Sequence, residues 1–291
     1  MRRGDYTWAY LMIAPTMLGT LLFHIWPVLQ SVYLSFTTWN SFGNYKWSGL
    51  DNYRRMAHDA EVWSSLGNTV VFTLITVPVG LALSTIAAVL LNQKIRGIPV
   101  YRTLYFLPVI TMPAAIAMVW KWLYNGDFGL LNELLGLFSS AKVQWLTNPG
   151  LALYSTAAVA VWSAIGYNMI IILSGLQGIP SHLYEAASMD GAGGMRKFFS
   201  ITLPMLSPTF FFLSVISIIS TLQTFELVFM MIGANSPVIG RTQTIVYDFF
   251  KYAFLMNDKG YATSIAMLLF AIILVVTVIQ FRVQKKWVHY E

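Results

Sequence analysis

Apolar runs of about twenty residues or more recur along this chain, and each is long enough to cross the hydrocarbon core of a bilayer as a helix. Inside lipid every backbone N–H and C=O must be satisfied within the protein, so such runs fold as α-helices packed among one another. Six spans follow, at 8–36, 66–92, 104–123, 152–175, 204–232 and 262–281. Only 10% of the 291 residues are charged and 57% are hydrophobic, far from the balance of a soluble domain of this length. The expected fold class is all-α, an integral membrane protein of six transmembrane helices, with residues 1–291 as a single transmembrane domain. Arg2 and Arg3 precede the first run as they would in a signal peptide. That run is too long and ends in aromatic residues, so it reads as a retained helix.

Basic residues orient the spans. With the N-terminus inside, segments 1–7, 93–103, 176–203 and 282–291 carry Arg2, Arg3, Lys94, Arg96, Arg102, Arg196, Lys197, Arg282, Lys285 and Lys286. That is ten basic residues in 56 positions, against eight in 89 for segments 37–65, 121–151 and 233–261. Both termini are therefore expected in the cytoplasm. Pro15, Pro27, Pro78, Pro108 and Pro113 fall inside spans and predict kinks, serving either bundle packing or a bend around a pathway. On the outer side, GLLNELLGLF predicts a short amphipathic helix. Trp120, Trp122 and Tyr124 fit an aromatic belt with Lys121 reaching to the interface.

Catalytic chemistry has no foothold in the sequence. It holds no G-x-x-x-x-G-K-[ST] loop for ATP phosphates, no H-E-x-x-H, no G-x-S-x-G and no cysteine. His24, His58, His182 and His289 are scattered, and the pair His182 and Glu185 does not make a zinc site. No cofactor or metal is expected, and the chain reads as a non-enzyme.

Polar residues within spans carry more information. Ser217, Thr221 and Thr224 recur at i, i+4 and i+7, one helical face, with Ser214 and Ser220 near it. Gln223 widens that surface, and Glu226 adds a carboxylate of the kind that normally faces a cavity or a partner. Tyr167 and Asn168 interrupt the fourth span in the same way. These residues point to a polar pathway or to hydrogen bonds between helices.

Between the fourth and fifth spans lies PSHLYEAASMDGAGGMRKFFSITLPMLSP, residues 180–208. Ser181 is placed to cap a short helix with Glu185 near its positive end, Gly191, Gly193 and Gly194 end it, and Pro204 suits the first turn of the next helix. A helix of roughly nine residues is marginal in water by itself. It needs a surface to dock on, and Ala186 and Ala187 allow close approach.

The stretch EAASMDGAGGMRKFFSITLP resembles the EAA loop of permease subunits in binding-protein-dependent ABC importers. Glu185, Ala186, Ala187, Asp190, Gly191, Ala192, Phe198, Ile201, Leu203 and Pro204 match that pattern at its spacing. GLDNYRRM at 49–56, LLNQKIRGIPVYRTLYFLP at 90–108, GLLNELL at 129–135 and LQGIP at 176–180 extend the similarity along nearly the whole chain, toward the carbohydrate-uptake branch of maltose and multiple-sugar type. The resemblance implies a type I ABC importer permease fold in a bacterial or archaeal cell membrane. It also implies the partners: a second, non-identical permease, a dimeric cytoplasmic ATPase that binds ATP and Mg, and an extracytoplasmic sugar-binding protein. No nucleic acid is involved. The EAA helix, with Leu183, Tyr184, Glu185, Ala186, Ala187, Asp190 and Gly191, would couple to the ATPase through Glu185. Sugar would be held near Tyr167, Ser217, Thr221 and Thr224, where the maltose permease has asparagines in place of the two threonines. Gln223 and Glu226 lie beside them. An ion-driven secondary transporter of a small polar solute is the alternative, and it calls for inverted repeats among the spans, of which no clear pair is found.

Overall fold

Proline and glycine decide where the apolar helices stop or widen. The structure is a computed structural model and describes residues 3–39, 44–93, 96–138 and 142–288. Arg2, Lys94 and His289 lie outside the described residues, as do the side chains of Arg3 and Lys286. The chain opens with α1 (Arg3–Thr20), a π-turn (Leu21–Ile25) and α2 (Trp26–Ser35), followed by a hairpin of β1 (Thr37–Trp39) and β2 (Tyr45–Trp47). Then come α3 (Asp51–His58), α4 (Ala60–Leu91), α5 (Ile98–Ile110), α6 (Pro113–Leu123), α7 (Leu130–Gly136) and α8 (Ala152–Gly178). The loop region holds α9 (Ser181–Met189), α10 (Gly194–Lys197), a second π-turn (Phe198–Thr202) and α11 (Leu203–Met205). The remainder is α12 (Ser207–Leu222), α13 (Glu226–Ile232), a 3-10 turn (Ile239–Arg241), α14 (Ile245–Phe250), a third π-turn (Lys251–Leu255) and α15 (Lys259–Trp287).

Among the described residues four stretches are long and apolar enough to cross a membrane, Tyr10–Ser35, Ala60–Leu91, Ala152–Gly178 and Lys259–Lys285, and six are if each of two bent helix pairs counts as one span. The bend in the third span falls at Pro113, where a kink is expected, whereas none is expected in the fifth. The third span breaks by 101° between α5 and α6. Proline disfavours the helical conformation in the residue before it, and Met112, before Pro113, is extended at φ −57° and ψ 129°. The fifth span bends by 64° at Leu206. Pro204 does not open the new helix as expected. It lies two residues past a π-turn, as Pro27 does, and the wider turn accommodates a ring that would otherwise clash with a carbonyl one turn back. Pro208, in the first turn of α12, takes the role assigned to Pro204. The fifth span also ends early, at Leu222, where Gln223 and Thr224 tighten into i→i+3 bonds with Ser220 O (3.2 Å) and Thr221 O (3.1 Å).

The chain divides into two units, Met1–Val62 with Asp248–Ala271, and Trp63–Tyr247 with Ile272–Glu291. In the first, the most apolar part of Tyr10–Ser35 has no buried residue. Below it, Asn52 donates to the carbonyls of Ser35 and Thr37, both at 2.9 Å, and fixes the hairpin on α3. Polar side chains then bind the approach to α4 to the approach to α15. Arg55 pairs with Asp258 at 2.7 Å, Lys251 pairs with Glu61 at 2.5 Å, and the Tyr261 hydroxyl donates to Asp59 at 2.7 Å. Burial pushes the Asp59 carboxyl up, but bonds from Tyr261, the backbone N–H groups of Glu61 and Val62, and Tyr252 outweigh it and hold it below its ordinary value. Burial together with the Asp59 and Glu61 carboxylates raises the Tyr252 phenol to about 12.

The second unit holds the helix core. Ala87, Ala88 and Leu91 of α4 meet Met169, Ile172, Leu173 and Leu176 of α8 and Leu206 and Leu213 at the start of the fifth span. Among lipids such contacts gain little from the hydrophobic effect, so close approach by small residues carries the packing. Gly166 is the clearest case. A Cβ there would collide with the backbone carbonyl of Tyr105, so α8 crosses α5 backbone to backbone. In a second cluster, Ile116 and Ala117 of α6 join Val159 of α8 and Val228 and Met231 of α13. Tyr124 belongs to this core rather than to an aromatic belt, since it is 7% exposed and its hydroxyl donates to Ser155 O at 3.3 Å. Trp122 is exposed, as a belt residue would be. The expected amphipathic outer helix is α7, whose buried Asn132 donates to Gly126 O (2.8 Å) and Val143 O (2.9 Å) and ties down the loop beyond.

Candidate functional site

Helix α9 starts one residue earlier than a Ser181 cap would have it. Pro180 is extended at φ −61° and ψ 132° and itself precedes the first helical residue, so Ser181 is inside the helix and no side chain caps the end. Glu185 consequently lies past the first turn. The C-terminus is where the sequence provides for it. Gly191 adopts φ +73°, its N–H reaches Ser188 O at 3.1 Å, and the N–H of Ala192 reaches Ala187 O at 2.9 Å. These are the two bonds of a Schellman cap, which glycine closes without a steric penalty. Lys197 adds a bond to Ser188 Oγ at 2.6 Å, which draws α10 back onto α9.

The two faces of α9 differ. Leu183 and Tyr184 pack on the core formed by α4, α8 and α12, and the Tyr184 hydroxyl meets Thr202 Oγ1 at 2.9 Å. Ala187 is half-buried, while Glu185, Ala186 and Asp190 are exposed. Met189 is 90% exposed and Met195 75%. The residues singled out in the loop thus fall into an inward pair that anchors the helix and an outward set, Glu185, Ala186 and Asp190, beside two bare methionines. Methionine suits a surface that must adapt to another protein.

The polar residues of the fourth and fifth spans meet around a cavity of about 280 Å³. Its polar wall comprises Tyr167 and Asn168 of α8, Ser217, Ser220 and Thr221 of α12, and Thr76 of α4. Val77, Ala164 and Ile216 complete it, so no charged side chain lines it among the described residues. The Thr221 hydroxyl donates to Ser217 O at 2.8 Å, which leaves its lone pairs to accept from a ligand. Asn168 is 4% exposed. The expectation that Ser217, Thr221 and Thr224 share one helical face holds for the first two only. Thr224 lies beyond the end of α12, and its carbonyl accepts from Thr244 Oγ1 at 2.7 Å, a tertiary partner in place of a helical one. Gln223 and Glu226 are exposed, Glu226 in the first turn of α13, where its charge suits the helix end. None of Gln223, Thr224 and Glu226 lines the cavity.

Thr76 was not visible as a site residue from the sequence. The signal was its place two residues before Pro78 in an otherwise apolar run. It is 4% exposed, and its hydroxyl has no hydrogen-bond partner, a condition that costs about 1–3 kcal/mol when the group is buried. Among the described residues no three His, Asp or Glu side chains gather as a metal site.

A short loop helix with an exposed outer face and a polar cavity among apolar helices are what a membrane transport subunit presents. Residues 80–289 match the family described as binding-protein-dependent transport system inner membrane component, and the chain belongs to that family. It is 38% identical over 295 residues to the probable ABC transporter permease protein YesP of Bacillus subtilis (strain 168), covering 99% of this chain and 94% of that one. It is 33% identical over 285 residues to the sn-glycerol-3-phosphate transport system permease protein UgpA of Agrobacterium fabrum (strain C58 / ATCC 33970), covering 97% and 96%. Its fold is similar to that of a bacterial ABC transporter involved in import of the acidic polysaccharide alginate, with a TM-score of 0.86, 20% identity, and coverage of 98% of this chain and 96% of that one. The chain is therefore an ABC importer permease with the type I permease fold, a translocation component of the membrane and not an enzyme.

Proposed function

We propose that this permease carries a sugar, a di- or oligosaccharide or related carbohydrate, across the membrane. An extracytoplasmic solute-binding protein delivers the cargo, and ATP hydrolysis on a separate ATPase pair drives the step. The whole chain, 1–291, serves as the transmembrane domain and pairs with a second, non-identical permease. Both termini and α9 face the cytoplasm, in keeping with the excess of Lys and Arg in those segments. ATP and Mg are held by the ATPase, and this chain contributes Glu185, Ala186 and Asp190 to the docking surface, with Leu183, Tyr184 and Gly191 shaping it. Ser217, Thr221 and Tyr167 contact the cargo, while Thr224, Gln223 and Glu226 act at the outer end of its path.

The observation that carries this reading is the seating of α9. The same buried cluster that takes Leu183 and Tyr184 contains Met169 and Leu213, on the two helices that supply Tyr167 and Ser217 to the cavity. A push on α9 is therefore delivered to helices that line the cargo's path. The two relatives fit this division of labour, since both are transport permeases, one for a small polyol phosphate. The test is Glu185→Ala in the complete importer. The exposed glutamate contributes nothing to the core, so the chain should still insert while ATP-driven uptake collapses. Uptake at the wild-type rate would refute the coupling role.

A further inference from the structure

Helix α4 carries a row of hydroxyl residues, and most of them are used locally. Thr69 donates to Ser65 O at 2.7 Å, Thr73 to Thr69 O at 2.9 Å, Ser84 to Gly80 O at 2.6 Å and Thr85 to Leu81 O at 2.7 Å. Each is the back-bond to the carbonyl one turn earlier that a membrane helix offers a hydroxyl. Ser65 and Thr76 depart from this pattern, and of the two only Thr76, in the middle of the row, lines the cavity. The carbonyl of Phe72 is available at the same spacing, yet the Thr76 hydroxyl makes no hydrogen bond, although the residue is 4% exposed. The residue lines the cavity together with hydroxyls and an amide from two other helices, but its hydroxyl oxygen has almost no accessible surface, so a rotation about χ1 that exchanges hydroxyl and methyl presents it to a ligand.

We propose that Thr76 is a cargo-contacting, specificity-determining residue, whose hydroxyl is completed by a hydroxyl of a neutral, polyhydroxylated cargo. The inference rests on the reading of this cavity as the cargo's path. A hydroxyl both donates and accepts, and so does each hydroxyl of a sugar, so the two satisfy one another without a charge. The wall formed by Thr76, Tyr167, Asn168, Ser217, Ser220 and Thr221 is rich in such groups and has no cation to neutralise a phosphate or carboxylate. Thr76 extends cargo recognition to a third helix, facing the pair of helices that supply the other polar groups.

The test uses the complete importer, with its second permease, ATPase and binding protein, reconstituted in vesicles. The probes are labelled maltose, cellobiose and raffinose, with sn-glycerol-3-phosphate as the anionic member, and the member carried fastest is followed. Thr76→Val keeps the shape and deletes the hydroxyl, Thr76→Ser keeps the hydroxyl, and Thr221→Val reports on the cavity as a whole. Thr76→Val should cut uptake about five- to tenfold. Thr76→Ser should stay within about twofold of wild type, and the melting temperature of Thr76→Val should equal or exceed that of wild type, because an unpaired buried group has gone. A fall in melting temperature, or equal loss in both Thr76 variants, would assign Thr76 to packing and overturn the proposal. Full uptake in Thr76→Val with impaired Thr221→Val would overturn it while leaving the cavity as the path. Full uptake in both would remove the path reading and this inference together. Transport of the anionic probe alone would also overturn it.

Discussion

Gly191→Ala isolates one backbone requirement of the loop between the fourth and fifth spans. A methyl group on Gly191 would meet no atom within 4 Å, so the substitution is sterically free of its surroundings. Its cost comes from φ +73° alone, a conformation that penalises L-residues by about 1–2 kcal/mol. If the chain escapes that strain by opening, it gives up the bonds from Gly191 and Ala192 to Ser188 O and Ala187 O, each worth about 1 kcal/mol net. Alanine also stiffens the open chain, which returns about 0.4–1 kcal/mol. The balance is a loss of about 1 kcal/mol, or roughly a fivefold rise in the open population. Amide hydrogen exchange at Ala192 should accelerate by about that factor, and uptake per ATP hydrolysed should fall with it. Gly194→Ala is the control, because a methyl there also meets nothing and its φ is not positive. Equal exchange at Ala192 in the two variants would show that the cap does not hold the loop.

Two further perturbations test the packing and the polar network around Asp59. Gly166→Ala drives a methyl into the Tyr105 carbonyl and should destabilise the chain by about 1–3 kcal/mol, read as a lower melting temperature in detergent. Gly80→Ala on α4, where nothing lies within 4 Å, should not lower it. Asp59→Asn removes a carboxylate held below its ordinary value. A depressed folded-state value means that the stabilisation is complete above the ordinary carboxylate range and is lost as pH falls through the folded value, below about pH 4. The gap in melting temperature between wild type and Asp59→Asn should therefore be constant near neutrality and close in acid. A gap that widens in acid would contradict the assignment.

The sequence was readable where one physical rule acts alone. Lipid demands helices, so the apolar runs gave the spans, and Gly191 marked the end of α9 because left-handed backbone favours glycine so strongly. Tertiary contacts defeated the reading elsewhere. The regular spacing of Ser217, Thr221 and Thr224 assumed an unbroken helix, and the Thr244 hydroxyl that takes the Thr224 carbonyl lies twenty residues away. Pro204 is expected in the first turn of the helix after the loop, but that place falls to Pro208, and the π-turn at Phe198–Thr202 that displaces the start has no local signal of its own. Tyr124 looked like a belt residue because its inward partner, Ser155, sits on another helix. Thr76 stayed hidden for a different reason. A lone threonine in an apolar run nearly always bonds its own helix, and only three-dimensional structure reveals one that does not.

The π-turn between α10 and α11 also bears on how this chain is compared with its relatives. A π-turn stores one residue more than an α-turn, so the path from Glu185 to Ser217 contains a residue that adds to the count along the chain without extending the helix by a regular step. A relative with one residue fewer between 198 and 202 would close that turn to an ordinary one and still bring the same side of its fifth span to the cavity. Correspondence between cavity-lining positions is thus kept by counting forward from Ser207, where α12 begins. Counting from the glutamate of the loop slips by one place, and a slip of one place on a helix exchanges a hydroxyl such as Ser217 for a neighbour such as Ile218.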